Sequence, residues 1–309
     1  MKSTLFNQVS IVEEQHLERE NKKCVFCNHS KFKNIYQIQN KPQVMLKQCL
    51  NCYACMTSRF PTKNYLVTYY QNYYKSFGNN DDCITFQHHY RFGKYLSHKI
   101  GKYIKKKAIS ILDFGGGDGS MSVSLAKELI NKGFNKIDIL VIDLNAFKSK
   151  KVNKNITIKY KNDIPTEKEK HYDIVLASSI IEHLLDPVTT LRRLLNALKE
   201  DGLFYARTPA WAGFFKLSKF INLNLDFTFP AHLYDLGQDF WETYFSKIDT
   251  NDFIMLESNP AIVETSFKKS FFRTFFAYFF KSFWYVFRSK YYNFVGGWEV
   301  LISHNSVRN

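Results

Sequence analysis

Glu182 and His183, in the run Ser-Ser-Ile-Ile-Glu-His-Leu from 178 to 184, set a carboxylate beside an imidazole, a pair able to take a proton from a weakly acidic hydroxyl. An imidazole with an unperturbed pKa of about 6.5 suits a base at neutral pH, and Glu182 could orient it or replace it. His232, in Phe-Pro-Ala-His-Leu-Tyr-Asp from 229 to 235, is the rival base, with Tyr234 and Asp235 beside it as candidates for acceptor hydroxyls. A second chemistry sits upstream. Cys24-x-x-Cys27 and Cys49-x-x-Cys52, 21 residues apart, have the spacing of a tetrahedral thiolate site, and four cysteines close the shell, which makes the metal structural. Cys55, Cys83 and His29 are expected to stay outside that set. Third, Asp113-Phe-Gly-Gly-Gly-Asp-Gly places Gly115, Gly117 and Gly119 in one turn, where positive φ and close backbone approach suit a nucleotide-like ligand.

These groups need elements to hold them. Ile109 to Phe114 is a short strand and Met121 to Leu129 a helix, so the glycine turn joins a βα unit. Further strands are expected at Ile137 to Ile142, ending at Asp143; at Ile156 to Tyr160, before Asn162-Asp163; and at Tyr172 to Ala177, leading into Glu182-His183. Asp186-Pro187 caps a helix that is expected to stop at Asp201-Gly202, and Gly202 to Arg207 gives a fifth strand. A helix at Gln238 to Phe245 and strands at Phe253 to Glu257 and Trp298 to Ser303 follow. Near the cysteines, Lys31 to Gln39 and Gln43 to Lys47 alternate as a hairpin, a module so small that its metal would supply the folding energy.

Two common nucleotide chemistries are disfavoured. Ser120 stands where a dinucleotide fingerprint needs its last glycine, and no lysine precedes it as a triphosphate loop requires.

The acid-ended strand and glycine turn resemble the first motif of class I S-adenosylmethionine (SAM)-dependent methyltransferases, matched by Asp113, Gly115, Gly117 and Gly119. The resemblance covers roughly residues 90 to 210. It implies that Asp143 takes the ribose hydroxyls of SAM and that Asp163 contacts adenine. Arg91, in the helical segment Gln87 to Phe92, is placed to meet the cofactor's carboxylate. The implied fold is α/β, a doubly wound Rossmann-like seven-stranded sheet spanning 76–309, after a tail at 1–20 and a zinc-ribbon module at 21–75. A ribbon ahead of such a core resembles bacterial sugar methyltransferases and some ribosomal-RNA methyltransferases. The run after strand four has neither the [DNS]-P-P-[YF] sequence of base amino methylation nor a cysteine nucleophile, which disfavours nucleic acid as substrate. The expected function is O-methylation of a sugar hydroxyl, on a nucleotide sugar or a capsule or lipopolysaccharide residue, with SAM and a structural Zn2+. Sugar C-methyltransferases of this kind carry a further C-terminal domain, and the chain stops soon after its last expected strand. RNA methylation and sugar C- or N-methylation are the alternatives.

The 309 residues carry a net charge of +15, which favours an anionic partner, and residues 1 to 23 hold no apolar signal segment, so the expected location is cytoplasmic. From Phe267 to Arg288, within an insertion at about 260–295, aromatic side chains recur at helical spacing with basic residues among them. Charges interrupt the apolar runs, so the segment is not expected to span a membrane. A lid, a homodimer contact and a helix lying on the inner face of an anionic membrane are the readings; burial against the core or a second subunit leads.

Overall fold

The computed structural model describes residues 11–76, 89–144, 150–165, 172–220, 225–248, 253–268, 270–287 and 292–304. Cys83, Gln87, His88, Lys269 and Arg288 lie outside the described residues. In chain order the elements are β1 (Phe32–Gln39), β2 (Val44–Cys49), β3 (Cys55–Thr57), α1 (Lys63–Ser76), α2 (His89–Gly101), β4 (Ala108–Phe114), α3 (Ser120–Asn131), β5 (Lys136–Ile142) and β6 (Lys150–Lys151). There follow β7 (Ile156–Lys161), β8 (Tyr172–Ser178), α4 (Pro187–Asn196), β9 (Leu198–Ala210), α5 (Ala212–Phe220), β10 (Tyr234–Asp235), α6 (Gln238–Thr243), β11 (Phe253–Pro260), α7 (Phe271–Phe287) and β12 (Gly296–His304).

The larger sheet has the order β11-β12-β9-β8-β4-β5-β7-β6. It is the expected seven-stranded sheet with the two-residue β6 added at one edge. β4, β5, β7, β8 and β9 are parallel neighbours, and β12 lies antiparallel between β9 and β11. Winding reverses beside β4, and in open α/β sheets such a switch point opens a crevice at the carboxyl ends of the strands.

Strand periodicity sorts the core onto two faces. Ile109, Ile111, Ile137, Ile139, Ile174 and Leu176 face α2 and α3, whereas Leu112, Leu140, Val175, Ala177, Phe204 and Ala206 face α4. The second face is continuous with the cysteine module, whose Cys24, Phe26, Leu46 and Met56 belong to the same buried cluster. Phe26 meets Tyr234 edge-on with ring centroids 5.2 Å apart and Phe240 at 4.7 Å.

The module's own sheet, β1-β2-β3-β10, takes its last strand from distant sequence: Tyr234 pairs with Met56 and Asp235 with Cys55. The cysteine unit is therefore completed by residues far outside 21–75. One boundary differs from expectation. The helix after Asp186 stops at Asn196, because Leu198 pairs with Tyr172 and the Tyr172 amide donates to the Ala197 carbonyl at 3.2 Å. Leu198 fits both a helical stripe and the first residue of a strand, and pairing to β8 decides for the strand.

Candidate active site and metal centre

Each Cys-x-x-Cys run folds as a tight knuckle. The residue after the second cysteine is left-handed in both, Asn28 at φ 59° and Tyr53 at φ 61°, and its amide donates to the first cysteine's carbonyl at 2.8 and 3.1 Å. The knuckles face each other. Cys24 and Cys52 sulfurs are 3.5 Å apart, Cys27 and Cys49 likewise, and all four lie within 4.8 Å of one another. A thiolate tetrahedron with Zn–S arms of about 2.3 Å has edges of roughly 3.8 Å, so the donor set fits Zn2+ in number, chemistry and spacing. The hydrogen bond from Cys52 lowers the Cys24 thiol to about 6. Cys55 is buried but stands outside the cluster, with its thiol pushed up by burial. His29 is not among the clustered ligands either.

At the end of β4 the chain turns on left-handed glycines, with φ of 71° at Gly115, 57° at Gly117 and 73° at Gly119. At Gly119 a Cβ would come within 2.4 Å of Ile158 Cδ1, so both conformation and space demand glycine. Gly117 differs, because a Cβ there would project into open space, a vacant cradle beside the backbone. Its amide donates to Asp143 Oδ2 at 2.9 Å, which ties the tip of β5 to the turn. Asp113 is buried beneath it, and burial raises its carboxyl to about 6. Its Oδ2 has no hydrogen-bond partner among the described residues. That oxygen lies beneath Gly116, next to the open space at Gly117, and the two features fit a bound donor molecule with polar groups to offer.

Asp163 lies two residues beyond β7, on the same edge, where it pairs with Arg193 at 3.0 Å. The structure gives Arg91 another environment: its guanidinium donates to the Thr265 carbonyl at 2.8 Å, the Val263 carbonyl and the Tyr278 hydroxyl at 3.1 Å. Arg91 thus clasps the segment between β11 and α7, and these partners give it a different task from the carboxylate contact expected of it.

Beyond β8 the backbone is strained at Ser179, a non-glycine residue at φ 56°, before a single turn carries Glu182 and His183. The structure brings Glu182, His183 and His232 together, with one donor atom of each within 4.8 Å of the others. The imidazoles of His183 and His232 meet edge-on at 4.8 Å. His183 Nδ1 lies 2.9 Å from the Ala231 carbonyl and 3.1 Å from the Tyr70 hydroxyl. A carbonyl only accepts, so Nδ1 carries the proton and Nε2 keeps its lone pair. Burial lowers His183 to about 4 and His232 well below its ordinary value, and raises Glu182 to about 8.

Three assignments change or appear. Asp235 is the cap of α5, accepting from the amides of Trp211 and Ala212, and Tyr234 is buried against Phe26 and Phe60, so neither serves as a hydroxyl-binding group. Tyr70 on α1, which touches His183, is signalled in sequence only as part of a tyrosine-rich run from 65 to 74. Arg207 is fully buried at the end of β9, donating to Ser178 Oγ at 3.1 Å, Ser179 Oγ at 2.8 Å and Glu264 at 2.7 Å. Its signal was a lone cation closing an apolar strand. A separate shallow recess, lined by Gln48, Tyr53, Lys216 and Asp235 among others, includes none of the glycine turn and neither candidate base.

Residues 86–251, more than half of the chain, match the family described as a methyltransferase domain. A ubiquinone biosynthesis O-methyltransferase of Methylobacterium nodulans is 26% identical over 105 residues, 33% of this chain and 41% of that protein. The chain thus matches less than half the length of that relative. Coclaurine N-methyltransferase bound to N-methylheliamine and S-adenosylhomocysteine (SAH) is 13% identical, covers 72% of this chain and 73% of its own, and superposes with a TM-score of 0.40. The plantazolicin methyltransferase BpumL in complex with SAH is 14% identical, over 79% and 90%, with a TM-score of 0.39. The fold assignment rests on this chain's own strand order. With that order, the glycine turn and the family match in hand, the chain belongs to the methyltransferase-domain family.

Proposed function

We propose that this enzyme transfers the methyl group of SAM to a sugar hydroxyl, on a nucleotide sugar or a surface-polysaccharide residue. The observation that carries this reading is the trio of buried Glu182 and half-buried His183 and His232 beyond β8, on the edge of the sheet that also bears the glycine turn. Methyl transfer from a sulfonium is an in-line displacement, so alignment and removal of one proton are the protein's tasks. Asp113, Gly115, Gly117, Gly119 and Asp143 hold the donor, and Asp163 lies at the same edge. His183, neutral at pH 7 and fixed in its tautomer by the Ala231 carbonyl, offers Nε2 to the acceptor hydroxyl. Cys24, Cys27, Cys49 and Cys52 hold Zn2+, which supplies folding energy and takes no part in the reaction.

Titration calorimetry with SAM and SAH tests the donor site, and absence of measurable heat for both would sink this reading. His183→Ala should leave donor binding intact and lower turnover by ~10² to 10⁴. Transfer of labelled methyl to RNA, with no transfer to a panel of nucleotide sugars, would overturn the choice of acceptor.

A further inference from the structure

We propose that Glu182, His183 and His232 form a second metal site, for a first-row divalent transition cation, set to bind the acceptor hydroxyl; this rests on the methyl-transfer reading above but replaces His183 as the base, because its Nε2 becomes a ligand. Two imidazoles and one carboxylate, with donor atoms within 4.8 Å of one another, are a facial set that leaves coordination positions open. The carboxylate is the telling member. Glu182 is buried, and its Oε2 lacks a hydrogen-bond partner among the described residues, although buried polar atoms are normally satisfied. A cation at the centre of the trio satisfies it. His183 also has the outer bond typical of a metal-bound histidine, Nδ1–H donating to a backbone carbonyl, with Tyr70 beside it. The Glu182 carbonyl in turn accepts from the Leu233 amide at 2.7 Å, which fixes the loop bearing His232 against the turn bearing Glu182.

Such a cation acts as a Lewis acid on the acceptor. Coordination acidifies the hydroxyl, whose proton passes to bulk water. The oxygen–methyl bond then forms as the methyl–sulfur bond breaks, its electron pair returning to sulfur to leave SAH. The cation keeps its oxidation state throughout.

The test counts metal on the full chain. Wild-type protein carrying a single equivalent of Zn2+, which the thiolate set takes because it prefers the softer ion, should bind Mn2+ at the second site in a paramagnetic-resonance titration. Glu182→Gln and His232→Asn should each weaken Mn2+ binding at least ~10-fold while cysteine-bound zinc is retained. If either variant fails to fold by circular dichroism, the other carries the comparison. Mn2+ binding equal in wild type and variants, or none in wild type, overturns the proposal. A failure of SAM binding strikes the methyl-transfer reading and leaves the metal count untouched, so the two are separable.

A different observation supports a second proposal: α7 docks on an anionic lipid surface. Among the described residues no helix is long and apolar enough to cross a membrane. One face of α7 is held, through Thr274 to Thr265 at 2.9 Å, Tyr278 to Arg91 at 3.1 Å, Lys281 to the Ala261 carbonyl, Trp284 to Gln238 at 3.2 Å and the Phe280 ring against Phe214. The opposite face is exposed: Phe272 is 74% exposed, Phe276 52% and Val286 73%, with Phe271, Phe275 and Phe279 also exposed. The expected burial of this stripe against the core is thus corrected. A patch of this kind marks an interaction site. Between Glu264 and Glu299 the sequence has no acidic residue and six basic ones, and a second copy of a +15 chain would bring like charge to this face. Aromatic side chains flanked by lysine and arginine suit an anionic bilayer surface.

Cosedimentation should show binding to phosphatidylcholine vesicles containing phosphatidylglycerol at least ~10-fold tighter than to phosphatidylcholine alone. Phe272→Ser with Phe276→Ser should remove it without altering the fold. No vesicle binding, or a sedimenting dimer that the same substitutions dissociate, overturns the lipid assignment.

Discussion

Cys49→Ser should lose the bound zinc, unfold the cysteine module and abolish methyl transfer. Structural zinc in isolated finger peptides is worth ~10 to 16 kcal/mol, and here the loss is partly offset because the module shares its core with the main sheet. The site is closed on four sulfurs, so no water or neighbouring side chain replaces the missing ligand. Metal content, near-ultraviolet circular dichroism and thermal unfolding report the change. Cys55→Ser is the informative control. Cys55 is as buried as its neighbours yet lies outside the ligand set, so this variant should retain zinc and cost only ~1 to 3 kcal/mol for the buried hydroxyl. A Cys49→Ser protein that keeps its fold and turnover without metal would show the cysteines to be dispensable.

The second large effect is expected at Glu299, far from the cysteines. Its carboxylate is fully buried, 2.6 Å from Lys99 Nζ, and accepts from the Tyr205 hydroxyl at 2.9 Å and from Tyr95. Lys99 also pairs with Glu257 at 2.9 Å, so the network fastens α2 to β12 and β11. Burial alone would lower the Lys99 pKa, but Glu299 beside it wins and raises it. Removing Glu299 leaves Lys99 paired with Glu257 alone and leaves the buried Tyr205 and Tyr95 hydroxyls without their acceptor, which costs ~1 to 3 kcal/mol. Glu299→Ala should therefore show a clear drop in the denaturant midpoint. Glu299→Leu combined with Lys99→Met should recover part of it, because apolar groups then fill the space of both charges. Equal instability of the single and double variants would mean that packing, not charge, holds this joint.

Much of this was legible in the chain itself. Strands of the parallel sheet are short apolar runs buried on both faces, so Ile137 to Ile142 and Tyr172 to Ala177 announce themselves, and Asp143 after the first marks the carboxyl edge. Asp113, Asp143 and the three glycines are local in sequence and could be read from spacing. The cysteines carry their meaning in two short repeats. What could not be read was every decision made by distant pairing. Asp235 looks like an acceptor ligand until α5 presents two amides to it. Arg91 looks like a cofactor clasp until Val263 and Thr265 offer carbonyls. The aromatic stripe of α7 declares an amphipathic helix, but periodicity says nothing of which face the body covers. Arg207 and Tyr70 act through partners on other elements, which no local pattern encodes.

The pairing of β10 with β3 has a consequence for how the chain is made. During synthesis the cysteines emerge before the strands of the larger sheet, yet positions 55 and 56 must wait for 234 and 235 before their sheet is complete. Until then β3 presents an open edge, the kind of surface that invites wrong partners in a growing chain. Contacts so distant in sequence also slow folding, since the intervening loop must close before they form. Six of the eight strands of the larger sheet lie inside that loop. The nascent chain therefore carries the cysteine module with one strand edge uncovered until the segment that bears His232 is delivered to it.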